Sequence, residues 1–479
     1  MGKGTTLAVE VRPEGREPIF LALARAIIEE IDRGRLKPGS PLPGTRALAR
    51  ALQLNRNTVD AAYHELTMQG WLATEPSRGT FVATDLPDGI RASPPVRRVP
   101  VPEPAAPRPA GRPMLKLSDG YPDVRLLPTT AFAQAFRRAL MSHAFASGGS
   151  YGDPRGSGML REALSAYLRD ERGLASSADD ILVARGSQMA LFLAASAVAE
   201  PGTAIAVERP GYPLAWSAFR AAGISVIGVP VDGGGIDVEA LERLANGNRN
   251  LRAVYVTPHH QYPTTVTLGA ARRLRLLEIA RQYSLVVIED DYDNEYRFDG
   301  RPILPLAARA SDELPIIYLG SLSKLLAPGI RVGYAVAPPK LLRPMADRRV
   351  SLDRQGDLAL ENALADLLAD GTIKRHARKA RRIYHGRRDH LAGLLAERFS
   401  QVAEFSLPAG GLAIWLRLLG GISAETWATN AARLGLSVLP GLNFELETAR
   451  PPEAFRLGFA SLDEREQMRA IDILARSMP

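Results

Sequence analysis

Ser321, Lys324 and Arg331 fall within SLSKLLAPGIRVGY (321–334), directly after an apolar run, PIIYLG. An amine and a guanidinium therefore stand just past the end of what reads as a buried strand. Four further apolar runs end on polar or small residues. ILVAR leads into Gly186-Ser187-Gln188, TAIAVER into Pro210-Gly211-Tyr212, AVYVTP into His259-His260-Gln261, and SLVVIE into Asp290-Asp291-Tyr292. Each end offers a different chemistry. A glycine turn opening a helix presents backbone N–H groups to a phosphate. A guanidinium pairs with the same anion. A tyrosine supplies a flat face, a carboxylate holds a protonated ring nitrogen, and a lysine amine attacks an aldehyde.

These residues need elements to gather them. The apolar runs ILVA, TAIAVER, ISVIGVPVD, LRAVYVTP, SLVVIEDD and PIIYLGS alternate with helical segments. Short apolar strands alternating with helices predict a mainly parallel α/β sheet covered on both faces. In such sheets ligands bind at the carboxyl ends of the strands, where all of these residues lie. The large α/β part is predicted over about 150–340. A helix-rich stretch with GGLAIWLRL and FRLGFA predicts a smaller α+β lobe over about 341–479, within a domain of 114–479. One ligand meets a phosphate cradle, an aromatic face, an acid and an amine together: pyridoxal 5'-phosphate, whose protonated ring acts as an electron sink. His259 and His260 invite a metal reading, but no third ligand is spaced to join them.

Residues from about 115 onward resemble the fold-type I, aspartate-aminotransferase-like enzymes, and SxSKxxxPGxRxGY is a specific part of that likeness. The resemblance implies Lys324 as the Schiff-base lysine and Asp290 as the partner of the pyridine nitrogen. It implies Tyr292 at the ring's 3′-oxygen and Tyr212 stacked on the ring. Ser187, Gln188, Ser321 and Arg331 would hold the phosphate, and Tyr151 of YGDPRG would reach the phosphate of a neighbouring subunit. Arg456 of FRLGFA would bind an effector or substrate carboxylate. One motif departs from the pattern: where such enzymes read Asn-Pro-Thr-Gly, this chain reads Tyr262-Pro263-Thr264-Thr265. The missing asparagine implies weakened transaminase competence and leaves cofactor binding untouched.

The first eighty-odd residues are built for something else. An amphipathic helix over 17–33 (Ile19, Leu23, Ile27, Ile31) is predicted to precede a short helix, RALARALQ, capped by Thr45. Asn55 is predicted to cap a third helix burying Val59, Ala62, Tyr63 and Leu66. WLATEPSRGTFV reads as two short strands around a turn. That order is a winged helix-turn-helix, whose second motif helix enters the major groove by its N-terminal end. Arg56, Asn57 and Thr58 stand there: Arg56 suits guanine or phosphate, Asn57 adenine. Arg46, Arg50 and Arg78 suit phosphates. The stretch PLPGTRALARALQLNRNTVDAAYHELTMQGWLATEPSRGTFV resembles the GntR-type DNA-binding domain. Residues 1–89 hold 11 Lys+Arg and 11 Asp+Glu, so any affinity for double-stranded operator DNA must come from placement rather than bulk charge. The domain is read as 1–83. Residues 84–113 are dense in proline and read as an extended linker, able to span roughly 90 Å at ~3 Å per residue.

The whole chain has 479 residues, net charge +8 and no cysteine, which excludes a disulfide framework and thiolate metal sites. No apolar run reaches the length of a membrane span and the N-terminus has no apolar signal core. A cytoplasmic protein with no membrane partner is expected. The order GntR-type domain, proline-rich linker, aminotransferase-like domain resembles the MocR/GabR regulators. That resemblance implies a transcriptional regulator sensing pyridoxal phosphate and/or an amino-acid or amine effector by imine exchange at Lys324. It also implies a domain-swapped homodimer. The alternatives are an active aminotransferase with an accessory DNA-binding domain, and a DNA-binding scaffold whose large domain is inert.

Overall fold

The computed structural model describes residues 9–13, 15, 17–76, 78–87, 114–118, 120–146, 151–300, 303–311, 313–446 and 451–479. The described residues separate into two compact units, one within 1–108 and one within 109–479. The proline-rich stretch lies outside the described residues from position 88 to 113.

The first unit contains α1 (Ile19–Asp32), α2 (Thr45–Leu52) and α3 (Arg56–Met68), then the hairpin β1 (Leu72–Glu75) and β2 (Gly79–Val82). The buried stripe of α1 runs through Leu23, Ile27 and Ile31, while Ile19, at its first turn, is exposed. Thr45 is not the cap of α2: the extended residue before the helix is Gly44, Thr45 is already helical, and no side chain caps that end. Asn55 does cap α3, its side-chain oxygen accepting from the Asn57 N–H at 2.9 Å. Val59, Ala62, Tyr63 and Leu66 face inward, and the Tyr63 hydroxyl donates to the Pro43 carbonyl at 2.8 Å, tying α3 to the turn before α2. Leu72 and Val82, paired across the hairpin, close the core from the wing.

In the second unit β3 (Leu115–Lys116) opens the chain. The large sheet follows: β4 (Ile181–Ala184), β5 (Ala204–Arg209), β6 (Ser225–Asp232), β7 (Gly235–Ile236), β8 (Leu251–Val256), β9 (Val286–Asp291), β10 (Ile316–Ser321) and β11 (Gly333–Val336). Its order is β4-β11-β10-β9-β8-β5-β6-β7. The run β10-β9-β8-β5-β6 is parallel, whereas β11 pairs antiparallel with both β10 and β4. The sequence pattern did not single out β11, because GYAV is four residues long and begins inside the Lys324 motif. Strand alternation divides the sheet between two cores. Ile181, Val183, Val287, Ile316 and Tyr318 enter one; Leu182, Ala184, Ile288, Ile317 and Leu319 enter the other. Both faces are thus dry, as near-continuous apolar strands require.

The smaller lobe holds β12 (Ala403–Glu404), β13 (Ala413–Leu418), β14 (Leu436–Ser437), β15 (Leu439–Pro440) and β16 (Ala454–Gly458). Four of them form an antiparallel sheet, β12-β13-β16-β15. The fifth, β14, pairs in parallel with β3, so the start of this unit returns to its far end. No local pattern in the sequence signals that pairing.

Asn55→Ala is expected to cost α3 about 1 kcal/mol. Amide exchange over the first turn of α3 should quicken while β8–β10 exchange is unchanged; equal exchange in both proteins would contradict the cap.

Candidate functional site

A narrow cavity of about 20 Å³ opens at the carboxyl ends of β5, β8, β9 and β10, lined by Ser187, Tyr212, Tyr255, Thr257, Tyr262, Asp290, Tyr292 and Lys324. Five of those eight are expected there from the sequence, and a sixth, Tyr262, stands out in it only as a departure from the family motif. Lys324 lies on the turn of helix Leu322–Leu325 just after β10, half-buried, with its Nζ 4.9 Å from the centre of the Tyr121 ring and 3.4 Å from the Gly120 carbonyl. Gly120 and Tyr121 precede the large sheet, so no strand-end logic could have placed them here. Ser321 accepts from the Lys324 N–H at 3.4 Å and caps that turn, which directs its hydroxyl at the backbone rather than into the cavity lining.

Asp290 and Asp291 are neighbours on β9 and therefore face opposite sides of the sheet. Asp290 is 3% exposed. The Tyr255 hydroxyl donates to its Oδ2 at 2.9 Å, and its Oδ1 is buried with no hydrogen-bond partner among the described residues. Burial pushes the Asp290 carboxyl up to about 7, against the pull of the Tyr255 hydroxyl and the charge of Lys324. Asp291 goes the other way. Burial raises it, but His259 at 3.2 Å, Arg172 at 3.7 Å and the Tyr318 hydroxyl at 2.7 Å outweigh that and hold it below the ordinary carboxylate range. His259 thus serves Asp291, and His260 holds Asp293 at 2.7 Å. Among the described residues no group of three or more His, Asp or Glu is placed to hold a metal. Tyr255, read from sequence only as strand filler, could have been found by register. It lies opposite Ile288 on β9, two residues before Asp290, so its buried hydroxyl faces that carboxylate diagonally.

On the other side of Lys324 the helix Ser187–Val198 begins at Gly186, held at φ +79°. A Cβ on Gly186 would lie 2.9 Å from the Arg331 guanidinium carbon, and one on Gly333 would lie 2.9 Å from the Ser187 nitrogen. The guanidinium can pack on this helix end only because both positions are glycine. Arg331 is itself at φ +54° and donates to the Arg185 carbonyl at 3.1 Å. Gln188 spends its side-chain amide on the Leu214 carbonyl at 2.8 Å, so it brings its backbone N–H to this end.

Aromatic rings form the remaining wall. Tyr262, in the place of the expected asparagine, meets Tyr212 edge-on at 4.8 Å, Phe444 at 5.6 Å and Tyr292 at 6.0 Å. The Tyr292 hydroxyl donates to the His260 carbonyl at 3.1 Å. Arg456 is 1% exposed and does not line the cavity: its guanidinium lies 4.3 Å from the Tyr262 ring centre and donates to the Pro263 carbonyl at 2.9 Å. Tyr151 is apart from the cavity as well. It is 66% exposed, with the Arg354 guanidinium 3.8 Å from its ring centre.

In the winged helix, Arg46, Arg50, Arg56 and Asn57 are exposed and Thr58 is half-buried. Arg56 reaches Asp60 one turn on at 3.4 Å, and Arg78 pairs with Glu75 at 2.6 Å across the turn of the hairpin. Both pairs are solvent-exposed, and such pairs exchange readily for other anions.

Residues 112–474 match the family Aminotransferase class I and II, and residues 21–82 match the bacterial regulatory proteins of the gntR family. The chain is 30% identical to the probable rhizopine catabolism regulatory protein MocR of Rhizobium meliloti, over 95% of this chain and 93% of that protein. It is 33% identical to the pyridoxine biosynthesis transcriptional regulator PdxR of Corynebacterium glutamicum, over 82% of each. Among solved structures it resembles an archaeal alanine:glyoxylate aminotransferase (TM-score 0.71, 29% identity, 76% of this chain and 91% of that one). It also resembles the α-aminoadipate aminotransferase LysN of Thermus thermophilus, solved with N-(5'-phosphopyridoxyl)-L-leucine (TM-score 0.70, 28% identity, 76% and 92%). The second unit thus has the fold-type I aminotransferase fold. The chain belongs to the MocR-type transcriptional regulators, in which a gntR-family helix-turn-helix domain is fused to an aminotransferase class I and II domain. Among the described residues no helix is long and apolar enough to cross a membrane.

Because the folded value of Asp290, about 7, lies above the ordinary ~3.9, the folded pocket without ligand takes up a proton between those values and loses stability as pH rises through that window. Asp290→Asn removes the group. Its stability advantage over wild type is expected to widen by about 2–3 kcal/mol between pH 5 and pH 8 in denaturant unfolding without ligand. An advantage that is flat with pH would contradict the assignment.

Proposed function

We propose that this regulator binds pyridoxal 5'-phosphate in the Lys324 cavity and responds there to an amino acid or related amine. The observation that carries the reading is the buried Asp290 Oδ1, which lacks a partner in the same cavity as Lys324. A buried carboxylate oxygen with no donor is costly unless a bound group supplies one, and a protonated pyridine nitrogen does. The Gly186 turn fits the other end of the same molecule, since a helix N-terminus and a guanidinium meet where a phosphate would sit. When bound, the cofactor supplies an aldehyde that an amine effector and Lys324 compete to hold.

The chain's own residues then have distinct tasks. Asp290, positioned by Tyr255, holds the proton on the ring nitrogen. Tyr212 covers the ring, and Tyr292 turns its hydroxyl from the His260 carbonyl to the ring oxygen. Ser187, the Gln188 backbone and Arg331 hold the phosphate, with Ser321 fixing the Lys324 turn beside it. Tyr151, exposed in a single chain, completes the phosphate site of a second chain in a domain-swapped homodimer. Arg456 meets the carboxylate of the effector once the Tyr262 ring yields its place. Arg46, Arg50, Arg56, Asn57, Thr58 and Arg78 contact operator DNA. The regulator reading is favoured over a plain aminotransferase by regulators that resemble the chain over 95% and 82% of its length. Tyr262, standing where the catalytic family carries asparagine, favours the same side.

The two units are coupled if ligand binding shifts DNA affinity, and coupling of this kind runs to about 5–150-fold. Pyridoxal phosphate with an amino-acid panel is expected to change wild-type affinity for DNA upstream of its own gene within that range. In Lys324→Ala the change should fall below about 2-fold. Gel-shift titration reads both. Wild-type affinity that ignores cofactor and amines alike would refute the sensor.

A further inference from the structure

The helix Thr372–Phe399 buries one face, through Ile373, His376, Ala380, Tyr384, Leu391 and Leu395. Its other face is uniform in charge over the first half. Between Thr372 and Arg388 the sequence holds eight Lys+Arg and no Asp or Glu. Residues 113–479 as a whole hold 44 Lys+Arg and 40 Asp+Glu, so without this segment the domain would be net acidic. Every exposed position from 375 to 382 is a cation: Arg375, Arg378, Lys379, Arg381 and Arg382. They form one wall of an open groove of about 1090 Å³. Of the three acids lining the groove, Glu171 is taken by Lys374 and Glu295 by Arg172, and the exposed Asp170 lies 3.8 Å from Arg169. Arg378, Lys379, Arg381 and Arg382 have no ion-pair partner among the described residues.

Folded proteins ordinarily intersperse the two signs, and a cleft lined by one sign focuses its field on counter-ions. The groove lies at the upper limit of the roughly 300–1,000 Å³ of small-molecule sites. Cations from 374 to 382 extend over ~12 Å of helix axis, whereas a small anion engages one or two of them. A duplex carries a charge every ~1.7 Å of its axis and can engage them all. An interfacial membrane helix would set large apolar side chains beside its cations; none is exposed between 375 and 382. Four of the five exposed cations are arginine, the side chain whose planar fork suits phosphate.

We propose that this face of Thr372–Phe399 is a second DNA-contact surface, gripping the phosphate backbone of duplex flanking the site that the winged helix reads. The inference rests on the reading of the chain as a DNA-binding regulator and adds a surface outside the gntR-family domain. It contributes affinity and salt dependence and no sequence preference, since phosphate contacts carry none.

The test uses the full-length chain with Arg378, Lys379, Arg381 and Arg382 all changed to Gln; the positions are exposed, and an unchanged thermal melt checks the fold. Affinity is measured against salt on a long fragment containing the protected site and on a short one trimmed to it. Each lost phosphate contact lowers the log–log salt slope by about 0.9, so the slope on the long fragment should fall by about 2–4. Affinity there should drop at least about 10-fold near 0.1 M salt, with the short fragment bound as before. Arg56→Ala should weaken binding to both fragments. Equal slopes and affinities for wild type and the quadruple variant would overturn the proposal, even with the Arg56 effect intact. So would a variant that loses only binding to anionic-lipid vesicles. A wild type that binds neither fragment sinks the regulator reading, and the proposal with it.

Discussion

The carboxylate of Asp290 lies buried at the end of β9, and the turn carrying Lys324 follows the end of β10 beside it. The parallel register of the two strands, with Leu319 opposite Asp290, is what puts an acid and an amine into one small cavity. Removing a carboxylate from water costs several kcal/mol unless charge or hydrogen bonds answer it. Here the answer is partial: one oxygen has the Tyr255 hydroxyl, and the other has no hydrogen-bond partner among the described residues. The neighbouring Asp291 is answered by charge instead, with His259 and Arg172 beside it and the Tyr318 hydroxyl donating to it. The contrast between adjacent residues follows from the two-residue period of a strand. Asp291 faces its charged partners, and Asp290 faces the Lys324 cavity.

Around that cavity, glycine decides what can approach what. Gly186 and Gly333 let the Arg331 guanidinium and a helix N-terminus share a few ångströms. The Tyr262 ring takes part of the space that a smaller asparagine would leave, and it bears on the Arg456 guanidinium. An effector that needs Arg456 must move this ring. On the proposed reading, that displacement is a discrete rearrangement able to bias the domain between two states, since a ligand shifts an equilibrium only by binding one state better.

Much of this was legible in the sequence. The strand-ending residues Ser187, Tyr212, Asp290, Tyr292 and Lys324 are found by one rule, that ligands collect at the carboxyl ends of parallel strands, and all five line the cavity. The first unit was legible by period: Val59, Ala62, Tyr63 and Leu66 are buried as a 3.6-residue stripe requires. What escaped depends on long-range packing. Gly120 and Tyr121 approach Lys324 from some 200 residues away, and β3 pairs with β14 across more than 300. The cap of α2 was misplaced by one residue because Gly44 takes the extended conformation that Thr45 was expected to adopt. The basic face of Thr372–Phe399 is visible as letters, but only burial shows that its cations share one side.

The central claim is a covalent one and can be read directly. The chain has seven lysines. Protein soaked with pyridoxal phosphate, reduced with borohydride, digested and mapped by mass spectrometry should carry the reduced adduct at Lys324 alone. An unlabelled Lys324, or label spread over the other lysines, would contradict the account.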